Sequence, residues 1–321
     1  MVESKSQWKA WLYLAPALIL LLVFTVWPIF STVRMAFLND YKVAEAIKEN
    51  APVYEFGFKN FTNVISLPKF FASMKNTLLL TLVTVPLSTV IALLIAVCLN
   101  SIKPLNRLLQ TIYFLPYVTN SIAIGMVFNT LFNIINVAGM QGINSSPYTQ
   151  SILNVFLEWF GVAPINWINA GSSWQNNFIV MVIYIVWNAL PFKILILLGG
   201  LQSVNKQYYD AAKIDGTSRA RTLWRITVPM LSPMIAYVVI TGFIGGFKEY
   251  SSIVGVFGDD MRSTGASDRN SMSTMVGLIY DYIGGDTPKE GQAAAGALIL
   301  FVIIFIVTLI NLYVSKKKVH Y

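Results

Sequence analysis

Six apolar runs, each long enough to cross a lipid bilayer, constrain this chain more than any other feature of its sequence. A helix rises about 1.5 Å per residue and the hydrocarbon layer is about 30 Å thick, so one crossing needs about 20 residues. Backbone amides in lipid must be bonded within their own segment, so we predict helices. The predicted spans are Leu12–Val33, Thr77–Asn100, Thr111–Ile135, Phe178–Gly200, Pro229–Val256 and Ala293–Val314. The predicted fold class is therefore all-α, a polytopic membrane protein with six transmembrane helices.

Composition agrees with this class and limits the chemistry that the chain can perform. Of its 321 residues, 55% are hydrophobic and 12% are charged, whereas soluble domains carry about 25% charged residues. The single cysteine, Cys98, excludes an intrachain disulfide, and with the single histidine, His320, it excludes a Cys/His metal cluster or a Cys–His dyad. Nothing in the sequence suggests a convergent carboxylate cluster, so we expect no metal site and no catalytic residue.

The Lys and Arg residues between the spans predict the orientation in the membrane. If both termini are cytoplasmic, the inner segments 1–11, 101–110, 202–228 and 315–321 hold 12 basic residues in 55 positions. The outer segments 34–76, 136–177 and 257–292 then hold 9 in 121. Short cytoplasmic loops carry the excess of positive charge, so we predict both termini inside. The net charge of +8 then indicates contact with anionic membrane lipid rather than with nucleic acid.

One inner segment contains the stretch YYDAAKIDGTSRARTLWRITVP, from Tyr208 to Pro229. Its alanines and Ile214 predict a short helix with Asp210 near the start, where a carboxylate suits the positive end of the helix dipole. Gly216 allows a turn, and a second helical stretch, Thr217–Ile226, follows it. We predict a helix–turn–helix at the membrane surface that leaves a patch exposed for a partner.

The same stretch carries a resemblance to a known family. Asp210-Ala211-Ala212, Asp215-Gly216, Trp224, Ile226 and Val228-Pro229 resemble the EAA loop of permease subunits of binding-protein-dependent ABC importers. Asp replaces the leading Glu of the family pattern, and Val replaces its Leu. The resemblance covers nearly the whole chain, including YLAPALILLLVFTVWPIFSTVRMAF and GQAAAGALILFVIIFIVTLINLYV. In type it is similar to the first, maltose-type permease of carbohydrate systems.

The resemblance implies a permease subunit in the cell membrane that forms half of the translocation path for a sugar or oligosaccharide. The implied partners are a second permease subunit, an ATPase dimer that holds ATP and Mg, and an extracytoplasmic solute-binding protein. The chain is expected to form one domain over residues 1–321, with a first span at about 12–33, core spans at about 77–315 and a coupling loop at about 205–229. The implied contacts to the ATPase are Asp210, Ala211, Ala212, Asp215 and Gly216.

The chain lacks the phosphate-binding sequence motif of an ATPase. No G-x-x-x-x-G-K-[ST] phosphate loop occurs, and the nearest string, GGDTPKEG, lacks the Lys-Ser/Thr ending and falls in an outer segment. We therefore expect ATP hydrolysis on partner subunits, with closure of the motor rocking the spans through the docked loop. In the alternative interpretation the loop serves only to set the topology.

Polar residues inside the predicted spans indicate the substrate path, because charge in a bilayer is costly and usually functional. Three charged residues stand out: Lys193 in the fourth span, with Lys248 and Glu249 in the outer part of the fifth. The resemblance implies sugar contacts in the middle of these two spans, with glycines widening the cavity for a larger oligosaccharide. The path candidates are Asn188, Phe192, Lys193, Gly246, Lys248, Glu249 and Tyr250, with Gly242, Gly245, Trp187 and Tyr117 beside them.

Several alternatives stay open at the level of sequence. Lys248 and Glu249 could form a structural pair, and Tyr250 could serve packing or an interfacial belt. The fourth and fifth spans hold two lysines and one acid, so one lysine is left without an acidic partner. An acidic saccharide could supply that partner. In the favoured alternative the substrate is a neutral oligosaccharide, and Lys193 reaches a carbonyl, a neighbouring subunit or the inner interface. Glycerol-phosphate or another polar solute is the alternative substrate. A stand-alone secondary transporter is the alternative class, although no internal repeat supports it.

Overall fold

The computed structural model describes residues 7–48, 50, 52–101, 111–112, 117–133, 151–261, 272–284 and 287–318. Within these ranges the chain is helical, and its extended backbone pairs only at an isolated bridge between Leu38 and Phe56. Two compact units are distinguished, Met1–Phe70 with Leu278–Phe301, and Phe71–Gly277 with Val302–Tyr321. We call them the first and second units. The single domain expected over residues 1–321 stays a prediction.

Fifteen helices can be assigned in the described residues. They are α1 (Gln7–Leu21), α2 (Trp27–Phe37), α3 (Val43–Ala46), α4 (Lys59–Ser66), α5 (Pro68–Ser101), α6 (Ser121–Phe132), α7 (Ile152–Glu158), α8 (Trp174–Ser203), α9 (Lys206–Ile214), α10 (Arg219–Thr222), α11 (Val228–Met230), α12 (Ser232–Phe247), α13 (Ser251–Phe257), α14 (Met275–Gly284) and α15 (Glu290–Lys318). Two π-helical turns, Leu22–Val26 and Leu223–Thr227, join α1 to α2 and α10 to α11.

Four to five membrane spans can be assigned in the described ranges, where the sequence predicted six. Four helices are long and apolar enough to cross a bilayer, Trp8–Phe37, α5, α8 and Glu290–Lys317, and the bent pair Arg219–Met230 and α12 can form a fifth. The predicted third span, Thr111–Ile135, is represented by the 12 residues of α6. Parts of that span, and of the segments 101–110 and 136–177, lie outside the described residues.

The fifth predicted span, Pro229–Val256, is wrong as one continuous helix. The axis bends by 70° at Leu231, and α12 ends at Phe247 before α13 begins at Ser251. The break follows two adjacent glycines, which are poor helix formers, and the Glu249 side chain accepts the backbone N–H of Ser252 at 3.2 Å. This bond satisfies an amide that has no partner within the first turn of α13.

Proline accounts for both π-helical turns. Each turn ends two residues before a proline, at Val26 before Pro28 and at Thr227 before Pro229. A proline ring collides with the carbonyl of the residue four positions earlier, which here lies inside the π turn. Widening the turn relieves that contact, and membrane helices commonly accommodate proline in this way.

The first unit holds the end of α2 against α4 through one buried side chain. Asn60 is fully buried, and its Nδ2 donates to the carbonyls of Ala36 at 3.1 Å and Leu38 at 2.7 Å. These carbonyls belong to the last turn of α2, where no intrahelical donor remains. In the same unit Phe37 stacks on Phe56 with ring centres 5.2 Å apart, so the helix end is also covered by an aromatic ring.

The second unit contains the larger core and one unusually close helix contact. Tyr184, Met181 and Val180 of α8 are fully buried at its centre. A methyl group added at Gly125 of α6 would lie 2.6 Å from the Cα of Gly255 in α13. The two backbones therefore touch at a point where only glycine fits.

Sequence reasoning missed α14. Its ten residues, Met275–Gly284, fall in the predicted outer loop 257–292 and are too few to cross a bilayer, so their pattern predicts no span. The start of the helix is held by the second span, because Thr77 Oγ1 accepts the backbone N–H of Met275 at 2.9 Å.

Candidate functional site

A cavity of about 300 Å³ lies in the second unit between α5, α8 and α12, with Tyr117 and Ser121 completing its wall. Each helix contributes residues three or four positions apart, which share one face. The lining comprises Thr84, Val85 and Ser88 of α5, Ile185, Asn188, Ala189, Phe192 and Lys193 of α8, and Val238, Thr241, Gly242, Gly245 and Gly246 of α12, followed by Glu249. Its size suits a small polar ligand or part of a larger one.

Aromatic and amide groups from α8 face this cavity. The ring of Phe192 stacks on Tyr117 with centres 5.6 Å apart and planes 17° from parallel, and Tyr237 lies 6.5 Å from Phe192. Asn188, one turn before Phe192, has a carboxamide with no hydrogen-bond partner among the described residues. The cavity thus offers flat apolar faces together with a free donor and acceptor.

Lys193 is held by three neutral oxygens of α5. Its Nζ donates to Ser88 Oγ at 2.7 Å, to Thr89 Oγ1 at 2.9 Å and to the Val85 carbonyl at 3.1 Å. An ammonium group carries three N–H donors, so all of them are used. The side chain is buried at 4% exposure. Lys193 thus reaches a carbonyl, as one of the alternatives expected, while its role in the path stays a prediction.

The expected pairing of a lysine with Glu249 is not found. Within the described ranges no ion pair joins Glu249 to Lys193 or Lys248. Lys248 follows the end of α12 and is exposed, while Glu249 lines the cavity and Tyr250 packs against the core of the second unit. The reason is the helix break, which points residues 248–250 in directions that a continuous helix would not. Of the path candidates, Lys248 and Tyr250 do not line the cavity.

The glycines of α12 serve two different purposes. A methyl group at Gly246 would lie 2.9 Å from Thr81, and one at Gly242 would lie 3.1 Å from Val85, so these two glycines let α12 approach α5. Gly245 has no neighbour within 4 Å of such a methyl group and opens onto the cavity. The expectation that glycines widen the path therefore fits Gly245, while Gly246 mainly permits close packing.

Sequence reasoning missed the contribution of α5, although a signal was present. Five hydroxyl residues, Ser73, Thr77, Thr81, Thr84 and Ser88, recur every three or four positions along this apolar helix, and all are buried. The last four donate to the carbonyl four residues earlier at 2.5–2.8 Å, as Thr81 does to Thr77. A polar stripe at helical spacing in a span faces protein or a path rather than lipid.

The predicted coupling loop forms a helix and a turn. Asn205 caps α9 by accepting the Gln207 N–H at 3.0 Å. At the other end Gly216 has φ +64, the Gly216 N–H bonds the Lys213 carbonyl at 3.1 Å, and the Thr217 N–H bonds the Ala212 carbonyl at 2.9 Å. This pair of bonds is the Schellman motif, which requires a left-handed residue.

The five predicted coupling residues differ in exposure, and Asp210 does not lie near the start of its helix as predicted. The helix begins at Lys206, so Asp210 stands in the middle of α9 rather than near its start, and its Oδ1 lies 3.6 Å from Lys213 Nζ. Ala211, Asp215 and Gly216 are exposed, whereas Ala212 is buried. None of these five residues lines the cavity, so the structure places two separate candidate sites, and the coupling role of the loop stays a prediction.

Comparison with known proteins shows the family of the chain. Residues 88–320 match the family of binding-protein-dependent transport system inner membrane components. The chain belongs to this family. The permease is 30% identical over 260 residues to the arabinooligosaccharides transport system permease protein AraP of Halalkalibacterium halodurans, covering 81% of this chain and 75% of AraP. It is 24% identical to the lactose transport system permease protein LacF of Rhizobium radiobacter, covering 97% and 95%.

A solved structure shows the same fold. The permease superposes on a chain of a bacterial alginate ABC transporter, solved in complex with an alginate pentasaccharide-bound periplasmic protein, with a TM-score of 0.73. The two chains are 20% identical, and the match covers 98% of the permease and 96% of that chain. The family match and the relatives, together with this fold, make the chain a multi-pass permease subunit of an ABC importer in the cell membrane.

Proposed function

We propose that this permease forms half of the translocation path for a sugar or oligosaccharide, which an external binding protein delivers and separate ATPase subunits drive. The family supplies the mechanism. Relatives named for arabinooligosaccharides and lactose support a carbohydrate as the substrate class. A second permease subunit completes the path, and ATP and Mg are held by the ATPase partners.

The observation that carries the proposal is the combination of groups in the cavity. Stacked rings of Tyr117 and Phe192 offer the flat apolar surface on which the C–H face of a sugar ring packs. The carboxamide of Asn188, which has no hydrogen-bond partner among the described residues, and the hydroxyl oxygens of Thr84 and Ser88 offer bonds to sugar hydroxyls. A binding site of this mixed kind has no need of a charged substrate.

The partners of Lys193 favour a neutral substrate over an acidic one. Its three donors already have acceptors, so no substrate carboxylate or phosphate is required to satisfy it. Lys248 is exposed and outside the cavity lining. Import of an acidic saccharide, or of glycerol-phosphate by the same mechanism, is the alternative, and it predicts that Lys193→Met or Lys248→Met lowers uptake at least about tenfold.

The membrane arrangement we propose has six spans with both termini in the cytoplasm. The threefold higher density of basic residues in the inner segments supports it. This orientation brings α9 and the Gly216 turn to the cytoplasmic side, where they dock on the ATPase dimer. Labelling of Gly216→Cys, in a chain with Cys98→Ser, by an impermeant thiol reagent checks the orientation, and reaction only from the outside would overturn it.

The test of substrate class is made on the reconstituted complex with its binding protein. Candidate solutes are compared for stimulation of ATP hydrolysis, and oligosaccharides should stimulate it. Phe192→Ala should lower uptake several-fold, because a stacking surface is lost. The matched control is Leu195→Ala in the same helix. Leu195 is 44% exposed, and its replacement should leave uptake unchanged. Stimulation by non-carbohydrate solutes alone, or equal effects of the two variants, would refute the proposal.

A further inference from the structure

A basic and aromatic surface lies on the helical segment that leads into α12. Trp224 is 67% exposed, and Arg221 and Arg225 are exposed as well. Between Arg221 and Arg225, where the helix passes into the π-helical turn, these three side chains are exposed while Thr222 and Leu223 are half-buried, so the three form the outer surface of the segment. The stretch Arg219–Met230 contains no Asp or Glu. We call Arg221, Trp224 and Arg225 the elbow face.

The buried residue of the segment, Thr227, shows where the segment meets the rest of the chain. Thr227 is buried at 4% exposure, its Oγ1 lies 3.4 Å from the Tyr209 hydroxyl of α9, and it also donates to the Thr222 carbonyl. This side of the segment therefore meets α9. The elbow face is exposed, and nothing in the described part of the chain covers it.

The bend before α12 determines what the elbow face meets. Arg219–Met230 lies at 70° to α12. Membrane spans are tilted by about 20° from the bilayer normal on average, so the segment lies within about 40° of the membrane plane. A segment that lies nearly in the membrane plane at the end of a span is at the interface between water and lipid. Trp side chains favour this interface, and guanidinium groups bind phosphate oxygens bidentately.

We propose that the elbow face binds the headgroups of anionic phospholipids in the cytoplasmic leaflet. Trp224 lies in the interface, and Arg221 and Arg225 contact lipid phosphates. The contact anchors the segment that carries Thr227, and through Tyr209 it holds α9 at the membrane surface. This assignment rests on the proposed function, because it needs the loop to be cytoplasmic.

The test uses the full chain reconstituted in vesicles that contain brominated phosphatidylglycerol or brominated phosphatidylcholine at equal mole fraction. Bromine quenches nearby tryptophan fluorescence, and the contribution of Trp224 is the difference between the native chain and Trp224→Phe. Phosphatidylglycerol should quench this contribution at least about threefold more effectively, since each basic residue adds to the attraction of anionic lipid. The preference should fall as salt is raised.

Two double variants separate this contact from general attraction to a basic protein. Arg221→Gln with Arg225→Gln should bring the lipid preference of Trp224 to about one. Lys316→Gln with Lys317→Gln removes the same charge from exposed residues of α15 and should leave the preference unchanged. If Trp224→Phe fails to insert, Trp224→Tyr provides the same difference.

Three results would overturn the inference. Equal quenching by both lipids would remove the role of the headgroup, and absence of any Trp224 quenching would place the face away from the bilayer. Loss of the quenching when the ATPase subunits are added would assign the face to them instead. Each result leaves substrate-stimulated ATP hydrolysis of the complex to be measured independently, so failure here is distinguishable from failure of the proposed function.

Discussion

Removing Lys193 and removing the groups that accept its hydrogen bonds should lower the stability of the chain by different amounts. Replacing Lys193 with Met removes three interhelical hydrogen bonds. Such bonds average about 0.6 kcal/mol each in membrane proteins, so their loss costs about 2 kcal/mol. The same substitution also removes the cost of burying an ammonium group, which amounts to several kcal/mol. The Ser88 and Thr89 hydroxyls keep backbone acceptors for their own protons. Lys193→Met should therefore destabilise the chain by no more than about 2 kcal/mol.

Removing the acceptors should cost more. Ser88→Ala with Thr89→Val leaves the ammonium group with the Val85 carbonyl alone. A buried charge that loses its partners costs about 3–5 kcal/mol. Adding Lys193→Met to this double variant removes the stranded charge, so the triple variant should recover about 2 kcal/mol of the loss.

The free energies can be measured by titrating SDS into the detergent-solubilised chain and following tryptophan fluorescence. The comparison needs the lysine variant, the acceptor double variant and the triple variant together, because only the cycle isolates the coupling between the two helices. A triple variant that is less stable than the acceptor double variant would refute the reasoning. So would a Lys193→Met cost larger than the cost of removing the acceptors.

Three further outcomes are expected. Gly125→Ala should destabilise the chain by several kcal/mol in the same titration, because its methyl group meets backbone at 2.6 Å, whereas Gly199→Ala in open space should be neutral or slightly stabilising. Gly216→Ala should cost about 1 kcal/mol and weaken ATPase binding in a pull-down, with Gly216→Asn milder because Asn tolerates φ +64; equal effects would contradict this. The purified chain should hydrolyse no ATP in a phosphate-release assay, and robust hydrolysis would contradict the permease assignment.

The sequence predicted best where a long regular pattern decides the structure. The apolar runs of α5, α8 and α15 exceed what one crossing needs, so their existence could be read without knowledge of their neighbours. The turn at Gly216 was predictable as well, because the left-handed position that ends a helix strongly favours glycine. In both cases the information is local.

Contacts between distant segments decided what could not be predicted. The break at residues 248–250 depends on how the Glu249 side chain meets the start of α13. It could not be predicted because the same apolar residues also fit a continuous span. The Lys193 ammonium group donates to hydroxyl groups about a hundred residues earlier in the chain, whereas the sequence suggested an acidic partner nearby. Hydroxyl residues in a span bond their own backbone equally well, so their pairing with a lysine depends on tertiary packing.

The glycine contact between α6 and α13 has a mechanical consequence. Backbones that touch at Gly125 and Gly255 leave no flexible side chain between them, and the Asn129 side chain also donates to the Val256 carbonyl at 2.6 Å. We therefore expect α6 and α13 to move together as one rigid body. Because residues 248–250 connect α12 to α13, we expect any change in the angle between α12 and the α6–α13 pair to be taken up there, next to Glu249 in the cavity wall.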